Sequence, residues 1–148
     1  MSEFVIKLPE RLKELMFDKG VTAIKLASAL DINSNYVTRY LQGNHLPTYS
    51  IFVKIIEYFN CSADFLLGLT DFPHYETVYL PVKAFSINFK KAIGASKLSQ
   101  YAIQKKTGIS WASFHFWLKG DRQPYVDSLV KLADFLEVSV DYLLGRVD

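Results

Sequence analysis

The sequence predicts an all-α protein built from two consecutive copies of one five-helix unit. Residues 8–71 align with residues 85–148 without a gap, and thirteen of the 64 aligned pairs are identical. Within each copy apolar residues recur at helical spacing, and glycine, proline and cap residues stand at matching positions. Chance similarity between two helical segments would not keep these residues in register, so we interpret the copies as a duplicated module.

The identical pairs are concentrated at turns and at the end of each copy. The run Ser62-x-Asp64-x-Leu66-Leu67-Gly68 recurs as Ser139-x-Asp141-x-Leu143-Leu144-Gly145. Further identical pairs are Ile32/Ile109, Leu41/Leu118, Gly43/Gly120 and Pro47/Pro124. Each copy is therefore expected to fold as one supersecondary unit.

In the first copy, the first helix begins at Pro9, and Leu12, Leu15 and Met16 share one face. The helices are expected at about residues 9–19, 23–30, 34–42, 48–59 and 63–67. The second, third and fifth helices have N-terminal caps, namely Thr22, Asn33 and Ser62. Gly43 and Gly68 end two of them, because a left-handed residue after a helix costs glycine least.

The second copy follows the same plan. Its helices are expected at about residues 82–94, 100–107, 111–119, 126–136 and 140–144. The caps are Ser99, Ser110 and Ser139, and Gly120 and Gly145 end the third and fifth helices.

Residues 70–81, between the copies, are predicted to form an extended linker. This segment contains two prolines, and residues 77–80 alternate in polarity as in a short strand, although no pairing partner is identifiable. The predicted domains are therefore residues 1–69 and 82–148.

Composition excludes several classes of protein. No apolar run approaches the ~20 residues that would span a bilayer, and the first residues lack the apolar core of a secretory signal, so we expect a cytoplasmic protein. The single cysteine, Cys61, allows no internal disulfide and is expected to be a small buried apolar residue. His45, His74 and His115 lie in different elements with no paired acid or nucleophile. We therefore predict no enzyme activity, no metal and no cofactor.

The second and third helices of each copy, joined by a tight turn, resemble the helix-turn-helix of the lambda-repressor/Cro-like (XRE-type) family. In the first copy the resemblance rests on Thr22, Leu26-Ala27, Leu30-Asp-Ile-Asn, Tyr36-Val37, Tyr40-Leu41-Gln-Gly43, Pro47 and the closing Ser-x-Asp-x-Leu-Leu-Gly. It covers nearly all of the chain except the linker and the first few residues. The resemblance implies two DNA-binding domains in a transcriptional regulator. We expect the protein to bind specific sites in double-stranded DNA and to act as a repressor.

By this resemblance, the third helix of each copy lies in the major groove. In the first copy the expected base-contacting residues are Ser34, Asn35, Thr38 and Arg39, with Asn44 near the DNA backbone. Asn and Arg side chains make the paired hydrogen bonds that distinguish adenine and guanine. The alternative is that these residues simply form a solvated helix face. His45 is interpreted as a surface loop residue.

The second copy fits this scheme less well. Gln100 stands where many family members have a glutamine that contacts phosphate, whereas the first copy has Ala23 there. The other expected DNA-binding residues of this copy are Trp111, Ala112, His115, Lys119 and Arg122. Lys105 and Lys106 add positive charge nearby, although they are equally consistent with an ordinary solvated surface.

Trp111 and Phe116 align with Ser34 and Arg39, so both aromatic side chains are expected to be exposed. They contact thymine methyl groups and sugars, or they form a protein interface, or the helix is rotated so that they are buried. Of these we favour the interface.

Three functions remain open at this point. Both units engage one operator, since successive half-sites lie about 34 Å apart and a 13-residue connection over residues 69–81 reaches at most roughly 45 Å. Alternatively the first unit binds DNA while the second mediates homodimerisation or binds another protein. The third candidate is an antitoxin or adaptor that has lost DNA binding.

Overall fold

The computed structural model describes residues 6–148 and divides the chain into two compact units, with the boundary between Thr77 and Val78. Residues 1–5, part of the predicted first domain, lie outside the described residues. The first unit contains α1 (Leu8–Lys19), α2 (Ala23–Leu30), α3 (Ser34–Gln42), α4 (Tyr49–Phe59) and α5 (Ala63–Leu67). The second contains α6 (Phe85–Ser96), α7 (Gln100–Thr107), α8 (Trp111–Lys119), α9 (Val126–Leu136) and α10 (Val140–Leu143).

The predicted all-α fold of two tandem five-helix units is confirmed, and residues 6–148 contain no strand. Within these residues no helix has both the length and the apolar character needed to cross a membrane. In unit 1, α3 packs against α2 and α1, and α1 packs against α5. In unit 2, α8 packs chiefly against α6, and α6 also contacts α9 and α10.

All six predicted N-terminal caps are confirmed. Each side-chain oxygen accepts a hydrogen bond from a backbone N–H two or three residues later, which satisfies an amide that has no partner inside the helix. The pairs are Thr22 with Lys25 (3.2 Å), Asn33 with Asn35 (2.9 Å), Ser62 with Phe65 (3.2 Å), Ser99 with Ala102 (3.1 Å), Ser110 with Ser113 (3.1 Å) and Ser139 with Tyr142 (3.0 Å). Gly43 and Gly120 end α3 and α8 with φ of 76° and 84°.

In unit 2, the bounds of two helices differ from the prediction. Helix α6 begins at Phe85 rather than at residue 82, because the Lys83 amide donates to the Leu144 carbonyl at 3.2 Å and holds the preceding residues outside the helix. It also continues through Gly94 to Ser96, where Lys97 takes the left-handed conformation with φ of 59°. Helix α10 ends at Leu143, one residue earlier than predicted.

Where the first and third helices of each unit meet, the core of unit 2 is aromatic and that of unit 1 is mainly aliphatic. Leu8, Leu12, Val37 and Tyr40 in unit 1 correspond to Phe85, Phe89, Phe114 and Trp117 in unit 2, and all eight side chains are buried. The four unit 2 rings contact one another at centroid distances between 4.9 and 6.3 Å. The expected burial of Phe114 and Trp117 is therefore confirmed, and these rings hold α8 against α6.

The segment predicted as an extended linker is bound to the units on either side of it. Residues 70–77 follow the surface of unit 1: the Arg11 guanidinium donates to the Thr70 carbonyl at 3.1 Å, and the Ser62 amide donates to the Pro73 carbonyl at 2.7 Å. Residues 79–83 follow unit 2 in the same way, with the Leu80 amide donating to the Arg146 carbonyl at 2.9 Å. The predicted strand at residues 77–80 is absent: within this range the Leu80 amide donates to the Arg146 carbonyl, and the second backbone bond to this part of unit 2 comes from Lys83.

Arg11 marks a difference between the two cores. It is buried, its guanidinium carbon lies 4.3 Å from the centre of the Phe65 ring, and it also reaches Asp71 at 3.4 Å. The aligned residue in unit 2 is Asn88, whose amide nitrogen is buried without a hydrogen-bond partner among the described residues. A small cavity of about 10 Å³ lies beside Asn88, between Tyr142 and the last residues of the chain.

We expect Asn88→Arg to stabilise unit 2 by about 1–2 kcal/mol, because it replaces a buried donor that has no partner by one that reaches Tyr142, Val147 and Asp148. These residues align with the Arg11 partners in unit 1. Denaturant unfolding followed by tryptophan fluorescence measures the effect, since both tryptophans lie in unit 2. A loss of stability would show that the cavity does not accept the longer side chain.

Candidate nucleic-acid interface

Helix α3 is anchored by its inward face and presents a polar outward face. Val37 is fully buried and Tyr40 nearly so, which fixes the rotation of the helix about its axis. Asn35, Thr38 and Arg39 are exposed on the opposite side, and Ser34 is half-buried at the first turn. The structure thus brings the four predicted base-contacting residues together on one helix.

The hydrogen bonds of this face leave its recognition groups available. The Thr38 hydroxyl donates to the Ser34 carbonyl at 3.3 Å, and this bond fixes the orientation of the Thr38 side chain. The Asn35 backbone N–H donates to the Asn33 side chain at 2.9 Å, and Asn35 itself is exposed. A carboxamide and a guanidinium one turn apart on an exposed helix are suited to reading purine edges in a major groove.

Tyr36 supports Arg39, and sequence reasoning did not select it. The Tyr36 ring is 45% exposed, with the Arg39 guanidinium carbon 5.9 Å from its centre and the His45 ring 6.5 Å away. His45 also stacks on Tyr40 at 6.1 Å, so this loop histidine belongs to an aromatic cluster beside α3. Burial raises the pKa of Tyr40, and the nearby Tyr36 adds to this, so the phenol stays protonated. The sequence did hold a signal for this contact, because side chains three residues apart on a helix are neighbours.

Asn44 lies in the exposed loop that follows α3. Its amide nitrogen donates to the Gln42 side-chain oxygen at 3.1 Å, and its own amide N–H closes the helix by bonding to the Arg39 carbonyl at 3.1 Å. The position next to the end of α3 is consistent with a contact to the DNA backbone.

Helix α8, the counterpart of α3, presents a different surface. Trp111 is 63% exposed, and its ring stacks on the exposed His115 ring at 6.3 Å with an interplanar angle of 12°. Ala112 and Lys119 are also exposed on this helix. The face offers aromatic surface, a single imidazole and one ammonium group, where α3 offers carboxamide and guanidinium donors.

The expectation that Phe116 is exposed is wrong. Phe116 is half-buried, because the Arg122 guanidinium covers it with its carbon 4.4 Å from the ring centre. Stacking of a cation on an aromatic face removes much of the ring from water. Of the two aromatic side chains predicted to form an interface, Trp111 is therefore exposed and Phe116 is half-buried.

Gln100 is half-buried at the start of α7, and its amide nitrogen has no hydrogen-bond partner in the described part of the chain. An amide donor in this position is suited to a phosphate oxygen. Lys105 and Lys106 lie exposed near the other end of α7, five and six residues after Gln100.

The flank of α8 is open where that of α3 is filled. Ser113 stands in place of Tyr36, and Ser128 in place of Ile51. A groove of about 470 Å³ results, bounded by Ser113, Arg122 and Tyr125 among others. Helix α8 thus has a serine at the position from which the Tyr36 ring contacts Arg39 in unit 1.

Two models of protein families match the chain, one in each unit. Residues 12–66 match a helix-turn-helix family, and residues 88–148 match the Cro/C1-type helix-turn-helix DNA-binding domain. Each match spans the helix pair that carries the candidate residues, α2–α3 in unit 1 and α7–α8 in unit 2.

Curated relatives are similar to part of the chain. An uncharacterized HTH-type transcriptional regulator of Bacillus subtilis, YqaE, is 37% identical over 60 residues, which are 40% of this chain and 52% of the relative. The cryptic phage CTXphi transcriptional repressor RstR of Vibrio cholerae is 36% identical over 67 residues, 45% of this chain and 57% of the relative. The chain thus spans about half the length of the curated relatives it matches. No solved structure matches it significantly.

Proposed function

Because this chain belongs to the lambda-repressor-like (Cro/C1-type) helix-turn-helix family, of which it carries two tandem domains, we propose that it binds specific double-stranded DNA sites as a transcriptional regulator. The observation that carries the proposal is the exposed α3 face, on which Asn35, Thr38 and Arg39 lie together while Val37 and Tyr40 are buried. We propose repression as its effect, because one relative is named a transcriptional repressor. This function involves no catalytic step, and we propose that the chain acts in the cytoplasm, where it meets DNA.

In this proposal unit 1 supplies most of the base selectivity. Asn35 and Arg39 read purine edges, and Asn44 contacts the backbone beside them. Unit 2 supplies phosphate contacts through Gln100, Lys119 and Arg122, while Trp111, Ala112 and His115 lie against sugars and thymine methyl groups. Ser34 completes the first turn of the unit 1 recognition helix.

A second candidate role for unit 2 is supported by Trp111. A tryptophan that is 63% exposed and stacked on a second ring is also suited to the centre of a protein interface, in a homodimer or with another protein. In that case dimerisation would supply the second DNA half-site.

Selection of duplexes from a random pool by the full chain tests the proposed function. We expect one recovered motif whose binding weakens steeply as salt rises, because phosphate contacts release counterions. Trp111→Ser is expected to keep the part of the motif read by unit 1 and to leave the mass in light scattering unchanged. A fall in mass instead assigns unit 2 to the protein interface, and failure of the wild-type chain to bind any duplex at low salt contradicts DNA binding.

A further inference from the structure

We infer that a junction of a single free residue, Val78, sets the spacing between the two DNA subsites that one chain reads. The inference rests on the proposed function, since it requires both units to contact one duplex. It follows from how firmly the residues on either side of Val78 are bound to their own unit.

On the unit 1 side, the bound segment extends to Thr77. The Asn60 amide nitrogen donates to the carbonyls of Tyr75 at 2.9 Å and Thr77 at 3.4 Å. The Tyr75 hydroxyl donates to the Asp18 carboxylate at 2.9 Å. Together with the bonds at Thr70 and Pro73, these contacts recur every few residues from the end of α5 to the boundary.

On the unit 2 side, the bound segment begins at Tyr79. The guanidinium carbon of the buried Arg146 lies 3.9 Å from the centre of the Tyr79 ring. The next residue, Leu80, donates its amide to the Arg146 carbonyl at 2.9 Å, and Lys83 donates to Leu144 at 3.2 Å. Between the two bound segments only Val78 is left, and it is 91% exposed.

This arrangement shortens the tether between the units. From Thr77 to Tyr79 the chain reaches at most roughly 7 Å, whereas 13 free residues would reach roughly 45 Å. A short tether favours simultaneous binding of both units only when the subsites match its span, and the advantage disappears when they do not. Because B-form DNA turns once in about 10.5 base pairs, five added base pairs carry the second subsite to the opposite face of the duplex.

The test uses composite duplexes that hold the selected motif with its two parts moved apart by zero to ten base pairs. For the wild-type chain, we expect five added base pairs to raise the Kd at least about tenfold. Insertion of ten glycine and serine residues after Val78 is expected to reduce this penalty to less than about threefold. The same ten residues appended after Asp148 serve as the matched control and leave the wild-type penalty unchanged.

A milder variant tests the bound segment itself. Asn60 has a φ of 48°, in the region that favours glycine, so Asn60→Gly removes both hydrogen bonds without straining the backbone. We expect a penalty between those of the wild-type chain and the insertion variant. Equal affinity of the wild-type chain for every spacing overturns the inference while leaving DNA binding intact, as does an unchanged penalty after the insertion. Absence of binding to all duplexes contradicts the proposed function instead.

Discussion

Arg39→Ala is expected to weaken binding to the selected duplex by about ten- to a hundredfold, the effect of losing a bidentate contact to guanine. Arg39 is exposed on α3, its guanidinium lies beside the Tyr36 ring, and the buried Val37 and Tyr40 fix the rotation of the helix. The loss should be confined to duplexes with the preferred base at one position. Fluorescence anisotropy with the selected duplex and its single-base variants measures it.

Two matched variants separate base reading from charge. Lys13→Ala removes the same charge from an exposed site on α1 and is expected to change the Kd less than about threefold, equally for all sequences. Arg39→Lys keeps the charge but lacks the planar fork, so it should lose base selectivity while retaining most of the non-specific affinity. If Arg39→Ala behaves like Lys13→Ala, the groove-reading role of α3 is wrong.

Arg146→Met is expected to lower the free energy of unfolding of unit 2 by about 3–5 kcal/mol, because it leaves the Asp141 carboxylate buried without its cation. The two side chains are 2% and 7% exposed and meet at 2.6 Å. The substitution also removes the guanidinium that stacks on Tyr79. Trp111 and Trp117, the two tryptophans of the chain, report unfolding of unit 2 without interference from unit 1.

The double variant Asp141→Asn with Arg146→Met distinguishes the unpaired charge from lost packing. It is expected to recover part of the stability, since the remaining amide carries no charge into the core. Arg122→Met, which removes an exposed arginine from the same unit, should cost less than about 1 kcal/mol. Equal losses for Arg146→Met and Arg122→Met would show that the buried ion pair does not stabilise unit 2.

The amino-acid sequence alone determined the helices, their caps and the duplication. These features depend on neighbours a few residues away: Thr22, Asn33 and Ser110 satisfy amides two or three positions later, and Gly43 and Gly120 end their helices through their own backbone freedom. The polar face of α3 was predictable for the same reason, because the burial of Val37 and Tyr40 follows from helical periodicity. Its role in DNA binding remains a prediction.

Only the tertiary structure decided where the linker residues and several polar side chains lie. Arg11 reaches Thr70 across 59 positions, Asn60 reaches Tyr75 across 15, and Tyr79 packs on Arg146 at the other end of its unit. The covering of Phe116 by Arg122 likewise depends on the path of a loop. Local propensity carries no information about such pairs, because their energies exist only once distant segments are packed together. A segment that reads as a long free tether is therefore, in the folded chain, reduced to one free residue.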